Sequence, residues 1–157
     1  MIPEGWTEKS LDEFISDISA GVSANCDNRP AEANEIGILK TSAVSYGIFD
    51  PTENKAVLPT EVDRVSVYPT KDTIVFCRSN TPELVGASAY IEHDFENLFL
   101  PDTLWRLSPR DRHVSMQWLS YLLNTSEARQ KLQNIASGTS ANMKKISMRS
   151  LLKLAFF

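Results

Sequence analysis

Ile74-Val75-Phe76 is an apolar run that passes through Cys77 directly into Arg78, Ser79, Asn80, Thr81 and Pro82. A run this short, rich in β-branched and aromatic residues and closed by turn formers, reads as a buried strand with a polar exit. The fold must therefore hold a guanidinium, a carboxamide and two hydroxyls at one edge of a rigid element. These groups reach phosphates and the donor and acceptor edges of bases, and none is a nucleophile with an activating neighbour. The competing reading is an ordinary hairpin, in which Ser79 and Asn80 close a turn through their own backbone and Arg78 pairs with Glu83.

The whole chain bounds the alternatives. Its 157 residues, 42% hydrophobic and 23% charged, suit one globular domain, spanning 1–157, with length enough for a proper core. No apolar run approaches the roughly 20 residues of a membrane span, and Met1 to Trp6 lacks the regions of a signal peptide, so the expected location is the cytoplasm. Cys26 and Cys77 have no second Cys or His at metal spacing, which favours free, buried thiols. The net charge of −4 argues against a generic polyanion binder. It is unevenly spread: residues 1–36 carry eight acids against Lys9 and Arg29, whereas from Ala128 onward there are six bases and no acid. That asymmetry permits a local positive face on an acidic protein.

Ser10-Leu11-Asp12-Glu13 has the form of a capping box, and Leu11, Phe14, Ile15 and Ile18 follow at helical spacing, which predicts a short helix over Leu11 to Ile18. Ala20 to Glu35, with Asn25, Asp27, Asn28 and Pro30, reads as a long irregular loop of the kind that carries function. Strands are expected at Ile36–Thr41, Ala56–Leu58, Thr73–Arg78, Val85–Ile91 and Leu104–Leu107, between turn signals at Gly47, Pro51, Pro59, Pro69 and Pro101. Ser115 can cap a helix striped with Leu119, Leu122 and Leu123, Asn124-Thr125-Ser126 can cap a second, and Gly138 is a natural stop. The expectation is an α+β fold with a curved, mostly antiparallel or mixed sheet, a short N-terminal helix and a C-terminal helical region.

Catalytic and metal-binding patterns are weak. Glu92, His93 and Asp94 are consecutive, so on a strand their side chains point apart, and glycine-rich nucleotide motifs are absent. A second polar island runs from Ser137 to Ser147 and includes Gly138, Thr139, Ser140, Lys144 and Lys145. It reads either as a phosphate-holding segment or as a connector between helices with solvated lysines. Lys40-Thr41-Ser42, at a predicted strand end, is a third candidate.

Taken in order, these landmarks resemble a target recognition domain of the specificity subunit of type I restriction-modification enzymes. The resemblance rests on the opening Ile2-Pro3-Glu4-Gly5-Trp6, the short capped segment after it, Arg78-Ser79-Asn80-Thr81 behind a strand, Val85-Gly86, and Gly138 to Ser147. Val22-Ser23-Ala24-Asn25 departs from the Gly-Thr-Pro pattern common at that place. The resemblance implies a non-catalytic domain that reads one half of a split double-stranded DNA target from the major groove. Methyltransferase subunits and a motor nuclease subunit would be its partners, and cofactors would belong to them. It implies Arg78 as the base or phosphate contact with Ser79, Asn80 and Thr81 beside it. Lys40, Thr41, Ser42, Gly138, Thr139, Ser140, Lys144 and Lys145 would be groove or phosphate contacts. In that family a long spacer helix would begin near Leu154 to Phe157. Two other functions stay open: an acidic interaction module or DNA mimic acting on restriction enzymes, suggested by the acidic first third, and a small hydrolase around His93.

Overall fold

The structure is a computed structural model that describes residues 3–140 and 142–156, with the side chains of Thr139 and Ser140 outside the description. In chain order its strands and helices are β1 (Lys9–Ser10), β2 (Ile15–Ala20), β3 (Gly37–Leu39), β4 (Asn54–Ala56), β5 (Thr73–Cys77), β6 (Ser79–Asn80), β7 (Ser88–Ile91), β8 (Leu98–Phe99) and β9 (Leu104–Pro109). There follow α1 (Met116–Leu123), α2 (Ser126–Ile135), β10 (Ser137–Ser140), β11 (Met143–Lys145), α3 (Met148–Lys153) and β12 (Ala155–Phe156). The fold is α+β, as the sequence leads one to expect.

A four-stranded antiparallel sheet in the order β2-β9-β5-β7 carries the core. Strand β5 lies inside it, and all five of its residues are buried. Because side chains alternate, Ile74 and Phe76 enter one apolar cluster while Val75 and Cys77 enter another on the opposite face. The first cluster is closed by the helices through Leu119, Leu123, Leu132 and Leu151. The second is closed by Leu39, Ala43, Val44 and Leu100 from the β3 side. A strand covered on both faces has no polar face, which is why the run from Ile74 to Cys77 shows no alternation in the sequence. Beside this sheet stand a β4-β3-β8 sheet, with β3 parallel to β8, and a β10-β11-β6 ribbon.

The helix expected over Leu11 to Ile18 is not formed. The Glu13 carboxylate does accept the Ser10 backbone N–H at 2.9 Å, but the turn it stabilises is a single 3-10 turn, Leu11–Glu13, and Ile15–Ala20 continues as β2. Its register against β9 slips between Ile15 and Asp17, so that Ile15 faces Pro109 and Ile18 faces Leu107. The extra residue of a bulge lets apolar residues three apart share a face of a strand, which copies the spacing of a helix. Ser115 and Thr125 do cap α1 and α2, accepting the N–H groups of Trp118 and Ala128 at 3.2 Å. Gly138 is not a helix stop, because α2 already ends at Ile135 and Gly138 sits in β10. Val85 and Gly86 form a turn ahead of β7, with Gly86 at φ +84°.

Candidate nucleic-acid interface

The two polar islands, far apart in sequence, are neighbouring strands. In the antiparallel ribbon Lys144 lies opposite Asn80, Lys145 opposite Ser79 and Ser137 opposite Lys145. The Ile146 backbone N–H then donates to the Arg78 carbonyl at 2.9 Å and extends the pairing by one position. The ribbon replaces the helix connector that was the other reading of Ser137 to Ser147. Gly138 permits it: a Cβ there would stand 2.4 Å from the Met143 carbonyl oxygen.

Within Arg78 to Thr81 the side chains divide. Arg78 Nε donates to the Asp102 carbonyl at 2.6 Å, its backbone N–H donates to the Thr103 carbonyl at 3.0 Å, and its guanidinium carbon lies 5.9 Å from the centroid of the Trp105 ring. This fixes the stem and plane of a partly exposed guanidinium while both Nη groups keep no protein partner among the described residues. Asn80 turns back on the chain: its Oδ1 accepts the Thr81 N–H at 2.8 Å and its Nδ2 lies 3.6 Å from Cys77 Sγ. Ser79 is 4% exposed, which removes its hydroxyl from the surface. The hairpin reading thus describes Asn80 but not Arg78, and the Arg78–Glu83 pair does not form.

The turn after Thr81 is held from below. Arg129 on α2 donates to the Val85 and Glu83 carbonyls, each at 3.0 Å, and Gln133 donates to the Glu83 carbonyl at 3.2 Å. Desolvation lowers the pKa of Arg129, a half-buried guanidinium that nothing in the sequence pattern singles out.

The third island joins through the β8–β9 connection. Thr103, whose carbonyl binds Arg78, also borders an open cleft of about 500 Å³ between the 21–28 loop and the β3–β4 hairpin, with Lys40, Thr41, Lys55 and Asn28 on its walls. Lys40 is not a free cation: its Nζ lies 3.0 Å from Glu53 Oε2, and the Ser42 hydroxyl donates to the same oxygen at 2.9 Å. The Lys40 ammonium, and then the Ser42 hydroxyl, hold the Glu53 carboxyl below its ordinary pKa. Asp102 links the two regions, offering its carbonyl to Arg78 and its carboxylate to the Ser23 hydroxyl at 2.8 Å.

Elsewhere, the His93 ring lies 4.1 Å from the Phe95 ring and its Nδ1 lies 3.1 Å from the Asp94 carbonyl oxygen. Cys26 and Cys77 are free thiols, Cys77 buried and Cys26 partly so; burial raises both pKa values. Among the described residues no three His, Cys, Asp or Glu side chains group as metal ligands, and no helix is long and apolar enough to cross a membrane.

The chain is similar to the type I restriction enzyme EcoEI specificity subunit of Escherichia coli, with 26% identity over 151 residues. The match covers 96% of this chain and 25% of that protein. Its fold is that of solved type I specificity subunits. The S subunit from M. genitalium superposes with a TM-score of 0.61 at 14% identity, over 99% of this chain and 35% of that one. The HsdS subunit from Thermoanaerobacter tengcongensis gives 0.59 at 18% identity, over 99% and 33%. The chain therefore spans about a quarter to a third of the relatives it matches. No protein-family model matches it.

Proposed function

We propose that this chain reads one half of a bipartite double-stranded DNA target for a type I restriction-modification assembly, and that methyl transfer and cleavage belong to its partner subunits. The observation that carries this reading is that the strand of Arg78 pairs with the strand of Lys144, and that the Asp102–Thr103 backbone joins Arg78 to the cleft lined by Lys40. Supporting it are the sequence similarity to a specificity subunit along nearly the whole chain and the shared fold.

Arg78 is the base reader in this account. A guanidinium clamped at Nε and resting near an aromatic ring presents its remaining N–H groups in one orientation, the condition for a bidentate bond to guanine O6 and N7. Lys144, Lys145 and Lys40 serve the phosphates, with Thr41, Thr81, Thr139 and Ser140 as groove contacts, and all of this takes place on DNA in the cytoplasm. Against the acidic-mimic reading, some carboxylates are already matched, Asp27 and Glu35 by Arg29, Glu61 by Arg64 and Glu53 by Lys40. The test is to exchange this chain for a recognition domain of a characterised type I specificity subunit and to map methylated adenines across the host genome. The reading expects one half of the target to change and the other to stay; an unchanged target, with the hybrid assembled and active, would refute it.

A further inference from the structure

We infer that the cleft beside Lys55 is a seat for a single DNA-backbone phosphate, with Lys55 as its charge-bearing residue; this rests on the DNA-reading function proposed above. Lys55 lies in the middle of β4, opposite Ile38 of β3, and both residues line the cleft. It is half-buried, yet among the described residues it has no ion-pair partner.

The surrounding carboxylates are each engaged elsewhere. Glu53 binds Lys40 and Ser42, Glu61 accepts from Asn25 Nδ2 at 2.7 Å and from Arg64 at 3.3 Å, Asp102 accepts from Ser23, and Asp27 lies 3.6 Å from Arg29. Lys55 is thus a cation of this cleft that makes no ion pair among the described residues. An ammonium without an ion-pair partner gains more from an anion supplied from outside than one that is already paired. Hydroxyl and amide donors stand on the same walls, at Thr41, Thr103 and Asn28. Such a wall is what a phosphodiester oxygen accepts from. Because the Thr103 carbonyl also binds the Arg78 backbone, a phosphate seated here fixes the distance between the DNA backbone and the Arg78 guanidinium. The source of the anion is a duplex, since the cleft is open and its Thr103 wall is hydrogen-bonded to Arg78.

The experiment is amide and lysine side-chain NMR of the 157-residue chain, titrated with a mixed-sequence duplex over a salt series, and separately with inorganic phosphate at matched ionic strength. Expected are duplex-induced shifts at Asn28, Thr41, Lys55 and Thr103 that inorganic phosphate reproduces only at far higher concentration. Lys55→Gln should keep the wild-type spectrum elsewhere, weaken duplex binding about 3- to 10-fold and lower the salt slope by about one, while Lys55→Arg restores both. Three results overturn the seat: Lys55→Gln binding as the wild type does with an unchanged slope, shifts confined to the β6-β11-β10 ribbon, or inorganic phosphate binding the cleft as tightly as duplex does. The proposed function survives any of these. If no duplex shifts any residue, the proposed function falls and the phosphate seat with it.

Discussion

The N–H of Ile146 donates to the carbonyl of Arg78 at 2.9 Å, so the residue proposed to read bases is hydrogen-bonded to the strand that brings Lys144. Ile146 is 2% exposed and its side chain enters the same apolar cluster as Phe76, Val85 and Leu132. Replacing it with Ala removes buried methylenes and leaves a cavity at this seam, at a cost of about 2–5 kcal/mol. Urea denaturation should show that loss, and the remaining folded protein should lose DNA affinity as the ribbon loosens.

Arg129→Ala should destabilise the chain by about 2–3 kcal/mol, because it strips two charge-assisted hydrogen bonds from the Glu83 and Val85 carbonyls. Arg129→Lys keeps the charge but loses the fork, so it should recover only part of that stability. Hydrogen exchange checks where the effect falls, with faster exchange expected at Leu84 and Val85, whose N–H groups donate to the Thr81 carbonyl. Unchanged protection of this turn in Arg129→Ala would show that Arg129 does not hold it.

The central strand was legible in the sequence because its burial on both faces leaves an unbroken apolar run, and both main helices were legible because Ser115 and Thr125 are true caps. The N-terminal element reads as a helix in the sequence because a β-bulge in β2 puts Ile15 and Ile18 at the spacing of a helix. The β6-β11-β10 ribbon is hidden in the sequence because pairing across some 65 residues leaves no local signal; Gly138 serves a close backbone approach and not a helix stop. Of the candidate site, the sequence pointed to the segments but not to their inner and outer members. Ser79 and Asn80 turn inward, Lys40 is answered by Glu53, and Lys55 emerges only from the cleft, a single residue before a predicted strand. Arg129 had no signal at all, since its role is set by carbonyls more than 40 residues away.

Glu53→Gln should release Lys40 and tighten DNA binding. An exposed pair of this kind is worth about 0–1 kcal/mol, so the gain should be at most about 5-fold, with a steeper salt dependence. Fluorescence anisotropy over a salt series measures both, and weaker binding by Glu53→Gln would place Lys40 outside the DNA path.

The acid limb of stability should carry a signature of Glu35. Hydrogen bonds from Arg29 at 2.6 and 2.8 Å, and then the Glu32 backbone N–H, lower its carboxyl from 4.5 to about 2. A carboxyl depressed in the folded state stabilises above its unfolded pKa, and that contribution is lost as pH falls through the folded value. The stability difference between wild type and Glu35→Gln should therefore hold near neutral pH, shrink as pH falls from about 4.5 through about 2, and vanish only below that. Denaturation midpoints across that range measure it, and a difference independent of pH would exclude the Arg29–Glu35 pair as its source.

The most direct measurement of the account is adenine methylation, mapped genome-wide, for an assembled type I enzyme carrying this chain with Arg78→Ala and, in parallel, with Lys144→Ala. Thermal melts establish that each variant is folded. If Arg78 reads a base, its loss costs about 1–3 kcal/mol and relaxes the preference at one position of the half-target. Loss of Lys144 weakens all sequences alike and lowers the salt slope by about one. A folded, assembled Arg78→Ala enzyme that methylates the wild-type target with undiminished affinity and specificity would contradict the central claim, that the edge formed by Arg78 and the β6-β11 ribbon reads DNA.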